Sequence, residues 1–157
     1  MTRGEKGFTL TELLITILII GILSGSLFAV YGDARSKAVA ARIVADLMTL
    51  RSASAVFFSE RGRWPSEIDY GDLLNYLGRD PVGEGLNERA IAYGIISPDW
   101  SPSVFISARV GNGNGVAPGT RKILEKEASS LGLLDEEGSP YSSGSNIVMV
   151  ILKKNEP

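Results

Sequence analysis

Residues 7–21, GFTLTELLITILIIG, open the apolar run that decides the fold of this chain. From Phe8 to Val30 the only formal charge is that of Glu12. A helix of about 20 such residues crosses a hydrocarbon layer of roughly 30 Å. A carboxylate in that environment is costly unless it is paired or protonated. The run therefore predicts a membrane-inserted helix, and Glu12 predicts a partner for its charge.

The segment before the run, Met1–Gly7, is short and polar. Arg3 and Lys6 outweigh Glu5, and this positive excess indicates an end that stays in the cytoplasm. A secretory signal peptide cut around Ser24–Ala29 is one interpretation, but the apolar stretch continues into a helical pattern without a break. A simple single-pass anchor is the second interpretation, and it leaves the glutamate unexplained.

The stretch KGFTLTELLI, residues 6–15, closely resembles the processing site of type IV pilins and pseudopilins. The resemblance implies that a prepilin peptidase cuts after Gly7 and methylates the new amino terminus of Phe8, so that the helix stays on the mature protein. It also implies that Glu12 is the assembly residue, pairing with the Phe8 ammonium of a neighbouring subunit. Opposite charges attract strongly in a low-dielectric bundle, and either one alone is expensive to bury.

Beyond the apolar run the helical pattern continues, because Tyr31–Phe58 contains no proline and is rich in favourable helix formers. A helix from Phe8 to about Phe58 has a length of about 75 Å, which agrees with the pilin shape. Apolar residues recur at three- and four-residue steps: Val39, Ile43, Leu47, Leu50, Ala53 and Phe57. Polar residues fall mostly off this stripe: Arg35, Arg42, Asp46, Thr49 and Arg51. The stripe predicts a face that packs on the rest of the chain.

Two glycines interrupt the apolar half of the helix. Gly21 and Gly25 form a G-x-x-x-G pair, which allows close approach between helices, although the pair alone is a weak signal. Gly21 also matches a glycine common in pilins, and the resemblance implies that the segment near it loosens when a filament forms. Many members have a proline where this chain has Ala29, so the Ser24-Gly25-Ser26 cluster is the remaining source of flexibility.

The rest of the chain predicts an exposed α+β head in which an antiparallel sheet lies on the long helix. Gly62 and Pro65 end the helix. The predicted elements are a short helix at Asp72–Leu77 ended by Gly78, strands at Ala90–Ile96, Val104–Val110 and Asn146–Lys153, and a helix at Arg121–Leu131 that starts near Thr120 and is closed by Gly132. The predicted division is a leader (1–7), a membrane-spanning and filament-core helix (8–30), its amphipathic continuation (31–58) and the head (59–157).

Composition argues against several functional classes. A net charge of −2 with scattered Lys and Arg offers no basic surface for nucleic acid. Histidine and cysteine are absent, which removes the usual general base, the commonest metal ligands and any disulfide. The run Gly111–Gly115 lacks the Lys-Ser/Thr of a phosphate loop and indicates a turn. We therefore expect no catalysis and no cofactor.

An acidic loop near the end of the chain is the one candidate for a metal site. Its oxygen-bearing side chains are those of Asp135, Glu136, Glu137, Ser139 and Asn146, and some pseudopilins bind calcium in comparable loops. Their spacing matches no calcium motif, so a solvated acidic loop is favoured and no metal site is predicted.

The expected function is a structural subunit, a pilin or pseudopilin, of a type IV pilus-like or type II secretion-like filament. The expected partners are the prepilin peptidase, an inner-membrane assembly platform, and copies of the chain or related pilins. The expected location is the bacterial inner membrane with the head outside the cytoplasm, then a surface pilus or a periplasmic pseudopilus. The alternative is a secreted or membrane-anchored binding domain that does not polymerise. The helix signature is common to adhesive, DNA-uptake and secretion filaments.

Overall fold

The computed structural model describes residues 7–77, 91–101, 103–111 and 116–153. Its helices are α1 (Leu10–Arg61), α2 (Tyr70–Leu74) and α3 (Pro118–Leu131), and its strands are β1 (Tyr93–Ile96), β2 (Val104–Arg109) and β3 (Ile147–Lys153). Short 3-10 turns at Glu67–Asp69 and Asn75–Leu77 flank α2. The chain forms two compact units, Met1–Arg35 and Ser36–Pro157.

The first unit contains the apolar part of α1. The helix contains an 18-residue window of mean hydropathy 2.6, none of which is buried within the structure. Large apolar side chains along it are exposed, Leu10 by 75% and Leu27 by 72%. By length and composition α1 is thus able to cross a membrane. It begins at Leu10, two residues later than predicted, because Thr9 caps it.

In the second unit, the remainder of α1 buries the predicted stripe. All six stripe residues are buried, with Ile43, Leu47 and Leu50 fully inaccessible, so this prediction is confirmed. Asp46, which was predicted to lie off the stripe, is also buried, and that prediction was wrong. Its carboxylate is accommodated because the Tyr93 hydroxyl donates a hydrogen bond to it at 2.8 Å.

The three strands form one antiparallel sheet in the order β1-β2-β3. Ile95 of β1 lies opposite Ile106 of β2, which lies opposite Val150 of β3. These three side chains belong to the same buried cluster as the α1 stripe. The predicted α+β fold, a long helix packed on a small antiparallel sheet, is therefore confirmed.

The strands are slightly shorter than predicted. Strand β1 begins at Tyr93, and the predicted first residue, Ala90, lies outside the described residues. Strand β2 ends at Arg109 and β3 begins at Ile147 because the carbonyl of Asn146 accepts the N–H groups of both Val110 (2.7 Å) and Gly111 (2.9 Å). That shared acceptor interrupts the regular ladder.

The ends of the helices follow local backbone chemistry. Helix α1 runs three residues past the predicted Phe58 and stops before Gly62, which has φ +67. Helix α3 starts at Pro118, earlier than predicted, because proline's fixed φ suits the first helical position. It ends as predicted at Gly132, which adopts the left-handed conformation at φ +65.

The short helix predicted at Asp72–Leu77 is instead a single turn, α2, between two 3-10 turns. It begins earlier because Ser66 opens the first turn: its N–H and its hydroxyl both donate to Asp69 Oδ2 at 2.9 Å. The predicted end at Gly78 lies outside the described residues.

Candidate functional site

Thr9 and Glu12 form a reciprocal hydrogen-bonded pair at the start of α1. Glu12 Oε2 accepts the backbone N–H of Thr9 at 2.9 Å and the Thr9 hydroxyl at 2.7 Å. In return, the Glu12 N–H donates to Thr9 Oγ1 at 3.2 Å. This arrangement is a capping box, which satisfies N–H groups that have no partner inside the helix. Glu12 is therefore held by its own chain.

The signal for this capping box is present in the sequence, although only its glutamate was predicted to have a role. The residues Thr9-Leu10-Thr11-Glu12 match the S/T-x-x-E pattern directly before an apolar run. Thr9 is thus a candidate functional residue that the motif contains but that was not predicted.

The two oxygens of Glu12 differ in their surroundings. Oε2 accepts both hydrogen bonds from Thr9. Within the described part of the chain, Oε1 accepts no hydrogen bond, and no ion pair includes Glu12. The side chain is exposed. Chemically, one oxygen fixes the carboxylate and the other remains available to a cation or a hydrogen-bond donor.

The predicted cleavage position lies next to this pair. Gly7, Phe8 and Thr9 precede α1 and are not helical. Phe8 is 74% exposed, and a Cβ placed on Gly7 meets no atom within 4 Å. The Gly7–Phe8 peptide bond therefore lies in exposed, non-helical backbone.

The two glycines predicted to matter for packing lie further along α1. A Cβ placed on Gly21 or Gly25 meets no atom within 4 Å. Gly21 lies in an open apolar groove between Leu14, Ile17, Leu18 and Ile22. The helix is continuous through both glycines, and the Ser26 hydroxyl donates to the Leu23 carbonyl at 2.8 Å. Loosening near Gly21 stays a prediction.

The acidic loop is organised by backbone N–H groups. Asp135 Oδ1 accepts the N–H of Glu137 at 3.0 Å and that of Ser139 at 2.9 Å. Glu136 Oε2 accepts the N–H of Ile147 at 3.3 Å. Among the residues the structure describes, no group of three or more Asp or Glu side chains is placed to hold a metal ion. The carboxylates of Asp135 and Glu136 thus stabilise the loop.

An ion-pair cluster follows the end of α1. Arg63 binds Asp69 through two nitrogens, at 2.7 and 2.8 Å. This pairing holds the pKa of Asp69 well below its usual range, with further help from the N–H of Ser66. Arg61 pairs with Asp72 at 3.0 Å, and its guanidinium lies 4.5 Å from the centre of the Phe57 ring. The cluster attaches the segment after the helix to the helix end.

Of the remaining predicted loops, Asn112–Gly115 of the glycine-asparagine run lies outside the described residues.

Comparison with known proteins identifies the N-terminal segment. Residues 2–28 match the family model described as the prokaryotic N-terminal methylation motif. The chain is 36% identical over 103 residues to a fimbrial protein of Neisseria meningitidis serogroup A, a match that covers 66% of this chain and 59% of that protein. It is 34% identical over 103 residues to a type IV major pilin protein, PilE1, of Neisseria gonorrhoeae, covering 66% and 57%.

A secretion protein is also similar. The type II secretion system core protein G of Klebsiella michiganensis is 30% identical over 64 residues, covering 41% of this chain and 45% of that protein. Among solved structures, the major type IV pilin PilA1 from Clostridium difficile aligns with a TM-score of 0.44 at 14% identity, covering 76% of this chain and 98% of that one. The chain spans less than two thirds of the length of each of these three curated relatives.

The motif match and the relatives confirm the resemblance predicted from residues 6–15. The chain carries the N-terminal methylation motif, and the proteins similar to it include both pilins and a type II secretion pseudopilin.

Proposed function

Starting from a chain with the N-terminal signature of type IV pilins and pseudopilins, we propose that it is a structural subunit of a pilus-like or type II secretion-like filament. A prepilin peptidase cuts after Gly7 and methylates Phe8. An inner-membrane assembly platform then moves the subunit into a filament with copies of itself or related pilins. The role is structural and requires no catalysis or cofactor.

One observation carries the proposal: the carboxylate of Glu12 lies at the start of an exposed apolar helix, and one of its oxygens accepts no hydrogen bond from the described residues. Cleavage after Gly7 creates an ammonium group on Phe8, a charge of opposite sign. Packing the apolar helices of several subunits together removes both groups from water. In these apolar surroundings, a pair of opposite charges is far less costly than two separate charges. Assembly thus supplies a partner of opposite charge for Glu12.

The proposed location follows from the same helix. Before assembly the apolar part of α1 spans the inner membrane, and the unit Ser36–Pro157 lies outside the cytoplasm. After assembly the subunit is part of a surface pilus or a periplasmic pseudopilus. Gly21 and Gly25 face neighbouring helices in the filament, because their missing side chains allow close contact.

Glu12→Gln tests the charge pairing. Glutamine retains a carbonyl oxygen that accepts the Thr9 bonds, so the helix start is preserved while the charge is removed. We expect normal cleavage but much less filament in the sheared surface fraction and in isolated envelopes. Thr11→Ala, one residue earlier and also exposed, is the matched control and retains normal assembly. A Glu12→Gln subunit that assembles at the wild-type level contradicts the proposal.

The amino terminus of the exported protein distinguishes the proposal from its alternative. A mature chain that starts at N-methylated Phe8, established by mass spectrometry and N-terminal sequencing, supports a filament subunit. An intact Met1 indicates a simple anchor, and a start near Gly32 indicates a removed signal peptide. Gly7→Leu is expected to block cleavage, so normal processing of that variant counts against the assigned bond.

A further inference from the structure

In the capping box, the two carboxylate oxygens of Glu12 have different hydrogen-bond partners. Both bonds from Thr9 go to Oε2, while Oε1 has no hydrogen-bond donor among the described residues. We propose that Thr9 is a positioning residue, which holds the Glu12 carboxylate through Oε2 and presents Oε1 to the ammonium group of a neighbouring copy. This inference rests on the filament function proposed above.

The physical reason is preorganisation. A free glutamate side chain samples many rotamers. If it becomes ordered only when the neighbouring subunit binds, the lost conformational entropy reduces the free energy gained by pairing. Thr9 fixes the carboxylate in advance, toward the end of the helix where the neighbouring Phe8 ammonium must bind. The two hydrogen bonds also stabilise the charge in apolar surroundings before a partner is present.

The capping box is compatible with pairing because it does not use the whole carboxylate. A carboxylate offers about four lone-pair positions on two oxygens. Thr9 occupies positions on one oxygen only, so the incoming ammonium binds without displacing it. The assembled subunit therefore keeps its capping box, and Glu12 bridges Thr9 of its own chain and Phe8 of the next.

A purely structural role for Thr9 predicts different behaviour. If Thr9 only starts the helix, then any residue that is favourable at this position replaces it. Glycine is nearly as favourable as threonine there but has no hydroxyl to donate to Glu12. Serine retains the hydroxyl. The pair Thr9→Gly and Thr9→Ser thus separates positioning of the carboxylate from capping of the helix.

The test uses the full-length chain with Thr9→Ser, Thr9→Gly or Thr9→Val, expressed to equal levels of mature subunit. We expect Thr9→Ser to assemble within about twofold of wild type, and the other two to give about threefold to thirtyfold less filament, because they lose the hydroxyl hydrogen bond to the charged Glu12 carboxylate. Wild-type filament yield from either Thr9→Gly or Thr9→Val overturns the proposal. So does accumulation of uncleaved Thr9→Val, which assigns Thr9 to processing.

Glu12→Gln separates the failure of this inference from the failure of the filament function. If Glu12→Gln fails to assemble while Thr9→Val assembles normally, then charge pairing survives and positioning by Thr9 is wrong. If Glu12→Gln assembles normally, then the pairing itself is wrong, and the positioning role is overturned with it.

Discussion

The hydroxyl of Tyr93 donates a 2.8 Å hydrogen bond to the carboxylate of Asp46, joining β1 to α1 inside the core. Both residues are buried, Asp46 with only 2% of its surface exposed, and Arg42 lies 3.9 Å from the same carboxylate oxygen. Because buried polar groups must be matched, this pair favours one placement of the sheet on the helix over others.

Tyr93→Phe removes that hydroxyl and leaves the buried carboxylate with one donor fewer. We expect the free energy of unfolding to fall by about 1–3 kcal/mol, the usual contribution of a buried hydrogen bond to a charged group. Urea unfolding of the full-length protein in detergent, followed by near-ultraviolet circular dichroism, measures the change. Tyr76→Phe, at a tyrosine with 43% exposure, is the control and should be nearly neutral. Equal losses from both variants would show that the Tyr93 bond has no special role.

Ile43→Ala tests the apolar stripe of α1. Ile43 is fully buried, so the substitution opens a cavity and should lower the free energy of unfolding by about 2–5 kcal/mol. Val56→Ala on the same helix, where 43% of the side chain is exposed, should cost far less. Chemical denaturation of both variants makes the comparison, and a loss for Ile43→Ala no larger than for Val56→Ala would contradict burial of the stripe.

Gly138→Ala should disturb the loop that carries the acidic residues. Gly138 has φ +83, and a Cβ there would lie 2.6 Å from the Trp100 ring. The ring cannot easily retreat because its Nε1 donates to the Glu136 carbonyl at 2.9 Å. We expect about 1–3 kcal/mol of destabilisation and altered tryptophan fluorescence. Gly144→Ala is the matched control, since the nearest side-chain atom is 4.0 Å away. An unchanged melting temperature for Gly138→Ala would contradict the predicted steric conflict with Trp100.

The Arg63–Asp69 pair predicts a specific loss of stability in acid. The pKa of Asp69 is lower in the folded protein than its ordinary value of 3.8, mainly because of Arg63. The pair therefore stabilises the folded state above about pH 4, and its contribution disappears as the pH falls below that value. Melting temperatures of wild type and Asp69→Asn should differ most near pH 6, and the difference should shrink as the pH falls from 4 toward 2.

Asp72→Asn is the control for this pH dependence, because the Asp72 carboxylate is 55% exposed and forms a weaker pair with Arg61. We expect a small effect with little change between pH 6 and pH 2. A gap between wild type and Asp69→Asn that stays constant over this range would contradict the assigned pair.

Periodicity in the sequence was sufficient to predict the buried residues of α1, because Ile43, Leu47 and Leu50 recur at helical spacing. Burial of Asp46 was beyond such reasoning, since its partner Tyr93 lies 47 residues away. Strand ends were missed for a similar reason: the Asn146 carbonyl that shortens β2 and β3 acts across the sheet.

At the candidate site the signals were local, and most of it could be predicted. The motif around Gly7 and Glu12 needs only neighbouring residues, and so does the capping box that Thr9 completes. The sequence does not predict that only one carboxylate oxygen of Glu12 accepts the hydrogen bonds from Thr9, because that depends on the rotamer of the side chain.

The position of β3 in the chain has a consequence for biogenesis. The cluster that buries the α1 stripe includes Val148, Val150 and Leu152, which belong to the last strand of the described chain. During translation, α1 therefore emerges from the ribosome long before β3, the strand that completes its packing. Contacts of such high sequence separation form late. Until synthesis of β3 is complete, the apolar face of α1 stays uncovered, and exposed apolar surface of this kind is prone to aggregation.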